Sequence, residues 1–405
     1  MRRREAGHRL SPAYWRLWWA TGIDTVGDGA FGAAVPLLAL TVTGDARLVS
    51  LISTATYLPW MLFSLPAGSL VDRHDRAALM VRSQLLQALL VAGLAVLAAF
   101  GAIRVPVLTV TAFALGACDV VFTNAAQAIL PDLLPKTLLH HANAQQQTVS
   151  TLGRQFAGPP VGGMLFAASV ALPFWLDAAS FALSAALLTG LPRQGTRPPA
   201  VPMRSAIGEG ARWLFRHRLL RTLAVLLGVN TFSGQLATVV LVLLATRTLH
   251  LDARGYGLLL SASAAGSLLG GLCTTRVVAL IGPLPALVTA LATNVVAFAA
   301  IGLSPHPGAL GASLAINGFA TTVWNVVTVG LRQRIVPRPL LGRVTSVYRM
   351  LGWGLIPLGT VAGGLVAHGL GTRAPSLLAS GVRGLALLAA LPVLIGAMRD
   401  ETGHG

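Results

Sequence analysis

The stretch AGSLVDRHDR, residues 67–76, decides how this chain is read. An uncharged run from Leu48 to Val71 ends there, and Asp72, Arg73, His74, Asp75 and Arg76 follow in succession. An apolar run that stops abruptly at a basic turn marks the point where a helix leaves hydrocarbon for the cytoplasmic face of a membrane. The same alternation continues in both directions along the chain. Runs of about 20 apolar residues are long enough to cross about 30 Å of hydrocarbon as helices.

Composition agrees. Hydrophobic residues make up 54% of the chain and charged residues 11%, against about 25% charged in soluble domains. The runs are continuously apolar rather than alternating, which favours helices over a barrel. The expected fold is an all-α membrane protein with twelve transmembrane helices in two pseudo-symmetric six-helix bundles. The spans are expected at 14–42, 48–71, 78–100, 105–131, 143–168, 171–191, 220–246, 255–277, 282–303, 308–331, 343–368 and 378–398. Residues 1–191 form the first bundle and 220–405 the second. Residues 192–219 form a cytoplasmic linker, in which RSAIGEGARWLFRHRL (204–219) reads as an amphipathic helix on the cytoplasmic leaflet.

A net charge of +17 raises the possibility of nucleic acid binding. The positions of the charges argue for lipid instead. With the N-terminus inside, the cytoplasmic loops and span ends hold Arg2, Arg3, Arg4, Arg9, Arg16, Arg73, Arg76, Arg82, Lys136, the linker arginines, and Arg221, Arg276, Arg332, Arg334, Arg338, Arg343, Arg349 and Arg399. The outer side holds only Arg47, Arg104, Arg247, Arg254, Arg373 and Arg383. That bias places both termini in the cytoplasm of a multi-pass plasma-membrane protein. No cleavable signal peptide is expected, because the first apolar run lacks a small-residue cleavage pattern and carries two aspartates. Cys118 and Cys273 lie in apolar runs and read as small core residues. His140 and His141 lie in a loop; no metal, cofactor or nucleotide site is expected, and no G-x-x-x-x-G-K-[ST] occurs.

The halves repeat. ILPDLLPKTLLHHAN (129–143) parallels RIVPRPLLGRVTS (334–346), and AGSLVDR (67–73) parallels GGLCTTR (270–276), at nearly the same offset. Shared loop chemistry is the bland alternative. An internal repeat of six spans is a transporter architecture, with a substrate site near mid-membrane between the halves.

The opening loop matches G-x-x-x-D-R-x-x-R through Gly68, Asp72, Arg73 and Arg76. It resembles the signature loop of the major facilitator superfamily, and the two-times-six plan fits that family. Physically it reads as a latch. Gly68 admits a close helix, Asp72 suits the N-terminus of span eleven near Gly342 and Arg343, and Arg76 suits Asp132 at the end of span four. The alternative is a solvated turn that only sets topology. In the second copy Thr275 replaces the acid, so a second latch should be weak or absent.

In span five, GRQFAGPPVGG (153–163) contains Gly158, Pro159, Gly162 and Gly163 as G-P-x-x-G-G. Proline breaks helical bonding and glycine permits close packing, so a hinge is expected. The pattern resembles the antiporter signature of facilitator-superfamily exporters, except that Arg154 stands where a further glycine is usual. Ordinary Gly/Pro content of membrane helices is the alternative. YWRLWWATGIDTVGDGAFGAAVPLLAL (14–40), FWLDAASFALSAALL (174–188) and GARWLFRHRLLRTLAV (210–225) resemble the macrolide-efflux and enterobactin-exporter branch of the drug:proton antiporters. The resemblance implies a monomeric exporter of small molecules driven by protons.

Ionisable residues inside a membrane are functional candidates. Asp24 and Asp28 share a face of span one; Asp119 lies in span four and Arg154 in span five. Two close carboxylates resist joint ionisation, which suits a proton carrier, and Arg154 could pair with one of them. A fixed Asp28–Arg154 pair that only joins helices is the competing expectation. Asp24, nearer the cytoplasm, is expected to be hydrated, and Asp177 to be a solvated or capping residue. No Asp or Glu occurs between Asp252 and Asp400, so a carboxylate proton carrier must lie in the first half. The second half offers Asn230, Gln235, Asn317, Trp324 and Asn325 for substrate contact, or for hydrogen bonds between helices.

The expected function is proton-coupled export of hydrophobic or amphiphilic small molecules by alternating access. A siderophore or metabolite exporter and a proton-coupled importer are alternatives. A membrane-embedded transferase is disfavoured, because no H-E-x-x-H cluster occurs in a span. A non-transporting scaffold is disfavoured by the repeat and by the absence of a soluble domain.

Overall fold

The computed structural model describes residues 10–135, 138–192, 203–337 and 340–402, and every regular element among them is helical. In order these are α1 (Pro12–Val42), α2 (Ala46–Arg73), α3 (Arg76–Ala99), α4 (Val105–Leu133), α5 (Leu139–Thr151), a π-helical turn (Leu152–Ala157), α6 (Gly158–Ala168) and α7 (Leu172–Leu188). There follow α8 (Met203–Arg216), α9 (Arg218–Thr238), α10 (Leu241–Leu243), a second π-helical turn (Leu244–Thr248) and α11 (Ala253–Ile281). The chain ends with α12 (Pro283–Leu303), α13 (Pro307–Ile335), α14 (Leu341–Gly354), α15 (Ile356–Leu370) and α16 (Ala374–Thr402). Among the described residues, nine helical stretches are long and apolar enough to cross a membrane. The second expected span is α2, the fifth is split across α5 and α6, and the sixth is the shorter α7.

The splits have local causes. Pro159 and Pro160 have no N–H to donate, so the ladder entering α6 must be rerouted. The N–H of Gly158 reaches back to the carbonyl of Gly153, five residues earlier, which closes the π-helical turn. Pro357 follows a similar break at Leu355, between α14 and α15. At the other end of the opening loop, Asp75 caps α3 by accepting the Ala78 N–H at 3.1 Å, which explains one of the two acids there.

The chain forms two compact units. The first contains residues 1–44, 55–199 and 252–258; the second contains 45–54, 200–251 and 259–405. Each unit therefore includes a short tip of a helix from the other half of the sequence. In the first unit the tip of α11 lies against α6, where a Cβ on Gly163 would stand 2.7 Å from the Ala253 carbonyl oxygen. In the second unit the tip of α2 lies against α15, where the Thr54 and Thr360 hydroxyls are hydrogen-bonded at 2.7 Å.

The two units repeat a glycine device. Gly158 and Gly162 of α6 press on the backbone of α1 at Gly29 and Ala30, and a Cβ on either would collide with it. Gly359 and Gly363 of α15 press in the same way on the α9 carbonyls of Phe232 and Leu236. The spacing is four residues in both units, as close helix packing in membranes favours. The glycines of the expected hinge motif thus form a seam between α1 and α6, and Gly359 and Gly363 form one between α9 and α15.

The core of the first unit includes Tyr14, Leu17, Met80, Ile129 and Leu188. The second gathers Leu220, Leu223, Leu287, Trp324 and Leu331, with Leu214 of α8 fully buried among them. The linker helix is therefore docked on protein through Leu214, rather than only resting on lipid, and Glu209 of α8 pairs with Arg343 of α14. Large exposed side chains such as Leu89, Val110 and Leu385 are suited to lipid contact. Cys118 and Cys273 are free thiols.

Candidate functional site

The site is built on α1, whose small residues let three other elements approach. Asp24 and Asp28 are one helical turn apart on α1; Asp24 is buried and Asp28 partly exposed. Asp24 is only 5% exposed and accepts a 3.0 Å hydrogen bond from the Gln84 amide of α3. Its expected hydration is therefore replaced by a buried amide contact. Asp28 forms an ion pair with Arg154. The π-helical turn carries Arg154, and a Cβ on Gly29 would lie 2.7 Å from the Arg154 carbonyl oxygen. The glycine seam thus brings the guanidinium within reach of Asp28.

Asp119 of α4 accepts hydrogen bonds from Thr123 at 3.5 Å and from Trp60 of α2. Asp177 is 1% exposed, well inside α7, and its neighbour Ser180 approaches it at 3.4 Å. It is neither solvated nor a cap, because α7 begins at Leu172 and carries Asp177 into the bundle beside Gly27. Asp24, Asp28, Asp119 and Asp177 all lie within electrostatic reach of Arg154. Asp24 and Asp177 are buried, whereas Asp28 is partly exposed and Arg154 half exposed.

Beside the loop between α2 and α3, Arg76 of α3 pairs with Asp132 of α4 and also donates to the Ala128 carbonyl at 3.1 Å. Arg73 is exposed. The side-chain surroundings of Gly68, Asp72, His140 and His141 lie outside the described residues, as do residues 1–9, 136, 193–202 and 338 entirely.

In the second unit, Trp324 and Asn325 line a cavity of about 340 Å³ with Leu227, Thr231, Arg332 and Tyr348. Asn230, Gln235 and Asn317 do not line it. The Asn230 carbonyl accepts from Arg383 at 2.7 Å, and the Gln235 side chain packs on Gly359. Among the described residues, Asn317 Oδ1 is buried without a hydrogen-bond partner. Arg383 corrects the charge count made from sequence. It is not an outer-loop residue but lies 8% exposed within α16, bonded to the Ser233 hydroxyl at 2.8 Å and stacked 4.1 Å from the Phe298 ring centroid. Its position inside the expected span 378–398 was the available signal.

A family model described as transmembrane secretion effector matches residues 10–400. The multidrug efflux pump Tap of Mycolicibacterium fortuitum is 31% identical over 368 residues, covering 87% of this chain and 88% of the relative. The enterobactin exporter EntS of Citrobacter koseri is 25% identical over 402 residues, covering 96% and 94%. The crystal structure of the nucleoside transporter NupG superimposes with a TM-score of 0.74 at 11% identity, over 94% of this chain and 99% of that one. At that identity the likeness concerns the fold alone.

Proposed function

Because the chain belongs to the transmembrane secretion effector family of the major facilitator superfamily, whose members are transporters and not enzymes, we propose that it exports small molecules in exchange for protons. The substrates are hydrophobic or amphiphilic, as the efflux relatives suggest. The observation that carries the coupling is the Asp28–Arg154 pair within reach of three further aspartates. Protonation of Asp28 removes the negative partner of Arg154 and leaves that guanidinium to the remaining acids. Substrate and proton then favour opposite orientations, each through its different affinity for the two states. In this reading the protein is a monomer in the plasma membrane, with twelve crossings and both termini inside. Its two halves alternate access to a central site.

The experiment is uptake of a fluorescent dye and of a macrolide into everted membrane vesicles under an imposed pH gradient. The native protein should accumulate both, and collapse of the gradient should stop it. Accumulation that persists without the gradient overturns the proton coupling. A narrower reading, export of a siderophore or metabolite, is favoured by the nearly full-length match to the enterobactin exporter. It predicts no accumulation of either test compound, with a catecholate accumulated instead.

A further inference from the structure

The contact between Asp24 of α1 and Gln84 of α3 is only half made if the aspartate is ionised. Gln84 is fully buried and Asp24 is 5% exposed. The Gln84 amide nitrogen donates to Asp24 Oδ1 at 3.0 Å. Among the described residues it is the one hydrogen-bond donor to that carboxyl group, and Gln84 Oε1 is buried with no partner. An amide oxygen is a strong acceptor, and leaving one unmet in the interior is costly.

A proton on Asp24 meets that need. A carboxylic acid and a primary amide are complementary: the amide N–H donates to one acid oxygen, and the acid O–H donates to the amide oxygen. The planar amide carries Oε1 beside Nε2, and the carboxyl group carries its second oxygen beside Oδ1, so both bonds can close in one ring. Turning the amide over does not remove the demand. Oε1 would then stand 3.0 Å from Oδ1, where two acceptors need a proton between them. The surrounding charges matter as well. Asp28 on α1, Asp119 on α4 and Asp177 on α7 are within electrostatic reach of Asp24, as is Arg154 of the π-helical turn, which is paired with Asp28. On α3, Arg76 is paired with Asp132 and Arg82 is exposed. The helix α6 and the described side chains of α5 carry no charge. A second negative charge one turn from Asp28, buried with a single neutral donor, is expensive.

We infer that Asp24 and Gln84 form a cyclic acid–amide pair, a proton-binding site separate from the Asp28–Arg154 pair, with Gln84 as the positioning residue that recognises the protonated acid. For its role in transport the site rests on the proton-exchange reading. It is filled while Asp28 is still paired with Arg154, so the two acids of α1 load in sequence.

Infrared difference spectra of the purified full chain in lipid at neutral pH test the pair, because protonated and ionised carboxyl groups absorb in separate regions. Asp24→Asn should remove a carboxylic-acid C=O band and leave the carboxylate bands unchanged. This variant should fold, since an asparagine amide makes the same two bonds to Gln84. Gln84→Leu, of similar volume, should keep the acid band and move it to higher frequency as the N–H donor is lost. In everted vesicles Asp24→Asn should lower gradient-driven dye uptake about tenfold. Loss of a carboxylate band in Asp24→Asn overturns the inference, as does an acid band that Gln84→Leu leaves in place. Failure of Asp24→Asn to fold also counts against the pair, because the pair accommodates an amide at that position. An acid band lost in Asp24→Asn, with no gradient-driven uptake of any compound by the native protein, overturns the proton-exchange reading and leaves the pair standing. Gradient-driven uptake by the native protein, with a carboxylate band lost in Asp24→Asn, overturns the pair alone.

Discussion

The guanidinium of Arg154 meets the carboxylate of Asp28 where a π-helical turn crosses α1. Proton carriage and structural bracing both account for that contact, and a paired substitution separates them. Asp28→Asn should lower gradient-driven export about tenfold or more. Removing both charges, with Asp28→Asn and Arg154→Gln, takes away both members of the pair together, so a purely structural pair would regain activity. The proton reading expects the double variant to stay uncoupled. Vesicle uptake at equal protein level checks this.

The glycine seam gives a stability prediction. A Cβ on Gly158 collides with the Gly29 backbone, which cannot move as a side-chain tip can. Gly158→Ala should therefore cost about 1–3 kcal/mol, the range for overpacking a tight contact. Gly359→Ala should behave alike against Phe232. Gly381, inside α16 with open space around it, is the control. There alanine should be neutral or should stabilise by about 0.5–1 kcal/mol through helix propensity. Unfolding temperatures in detergent rank the three.

Asp132→Asn distinguishes a latch from a topology signal at the loop between α2 and α3. Acidic residues contribute little to the positive-inside rule, so a loop that only sets orientation should tolerate the change. The Arg76–Asp132 pair is lost, however, and export should fall about fivefold with insertion unchanged. Cysteine accessibility from each side, measured beside uptake, reports both quantities.

Asp45, between α1 and α2, gives a pH prediction. Arg47 donates to it through its side chain at 2.8 Å and its backbone N–H at 2.9 Å, which lowers the carboxyl to about 2. A lowered folded value means that the contribution is complete above the ordinary carboxylate value and lost as pH falls through about 2. Asp45 should therefore stay ionised through the whole physiological range, beside His368 at 3.3 Å. A carbon-13 titration of labelled aspartate should find its midpoint near 2 and see it rise toward about 3.9 in Arg47→Ala.

The length and continuity of the apolar runs were enough to read an all-helical membrane chain, because hydrocarbon thickness fixes a span length. The family resemblance came from the motifs at 68–76 and 158–163 and the stretches quoted with them. The Asp24–Asp28 stripe was legible because helix periodicity puts residues four apart on one face. What lay beyond the sequence is every relation across helices. Nothing local shows that Gln84 answers Asp24, that Asp177 is buried beside α1, or that Arg383 sits inside a bundle on neutral partners. The glycines of span five read as a hinge along the chain and became a seam only once α1 was packed against them. Likewise Arg332 read as a basic loop end until Tyr348 and Trp324 were brought round it. Sequence determined which segments are apolar enough to be membrane helices. Tertiary packing decided which charges are buried and what they face, because rotation and close approach of helices depend on side chains far apart in the chain.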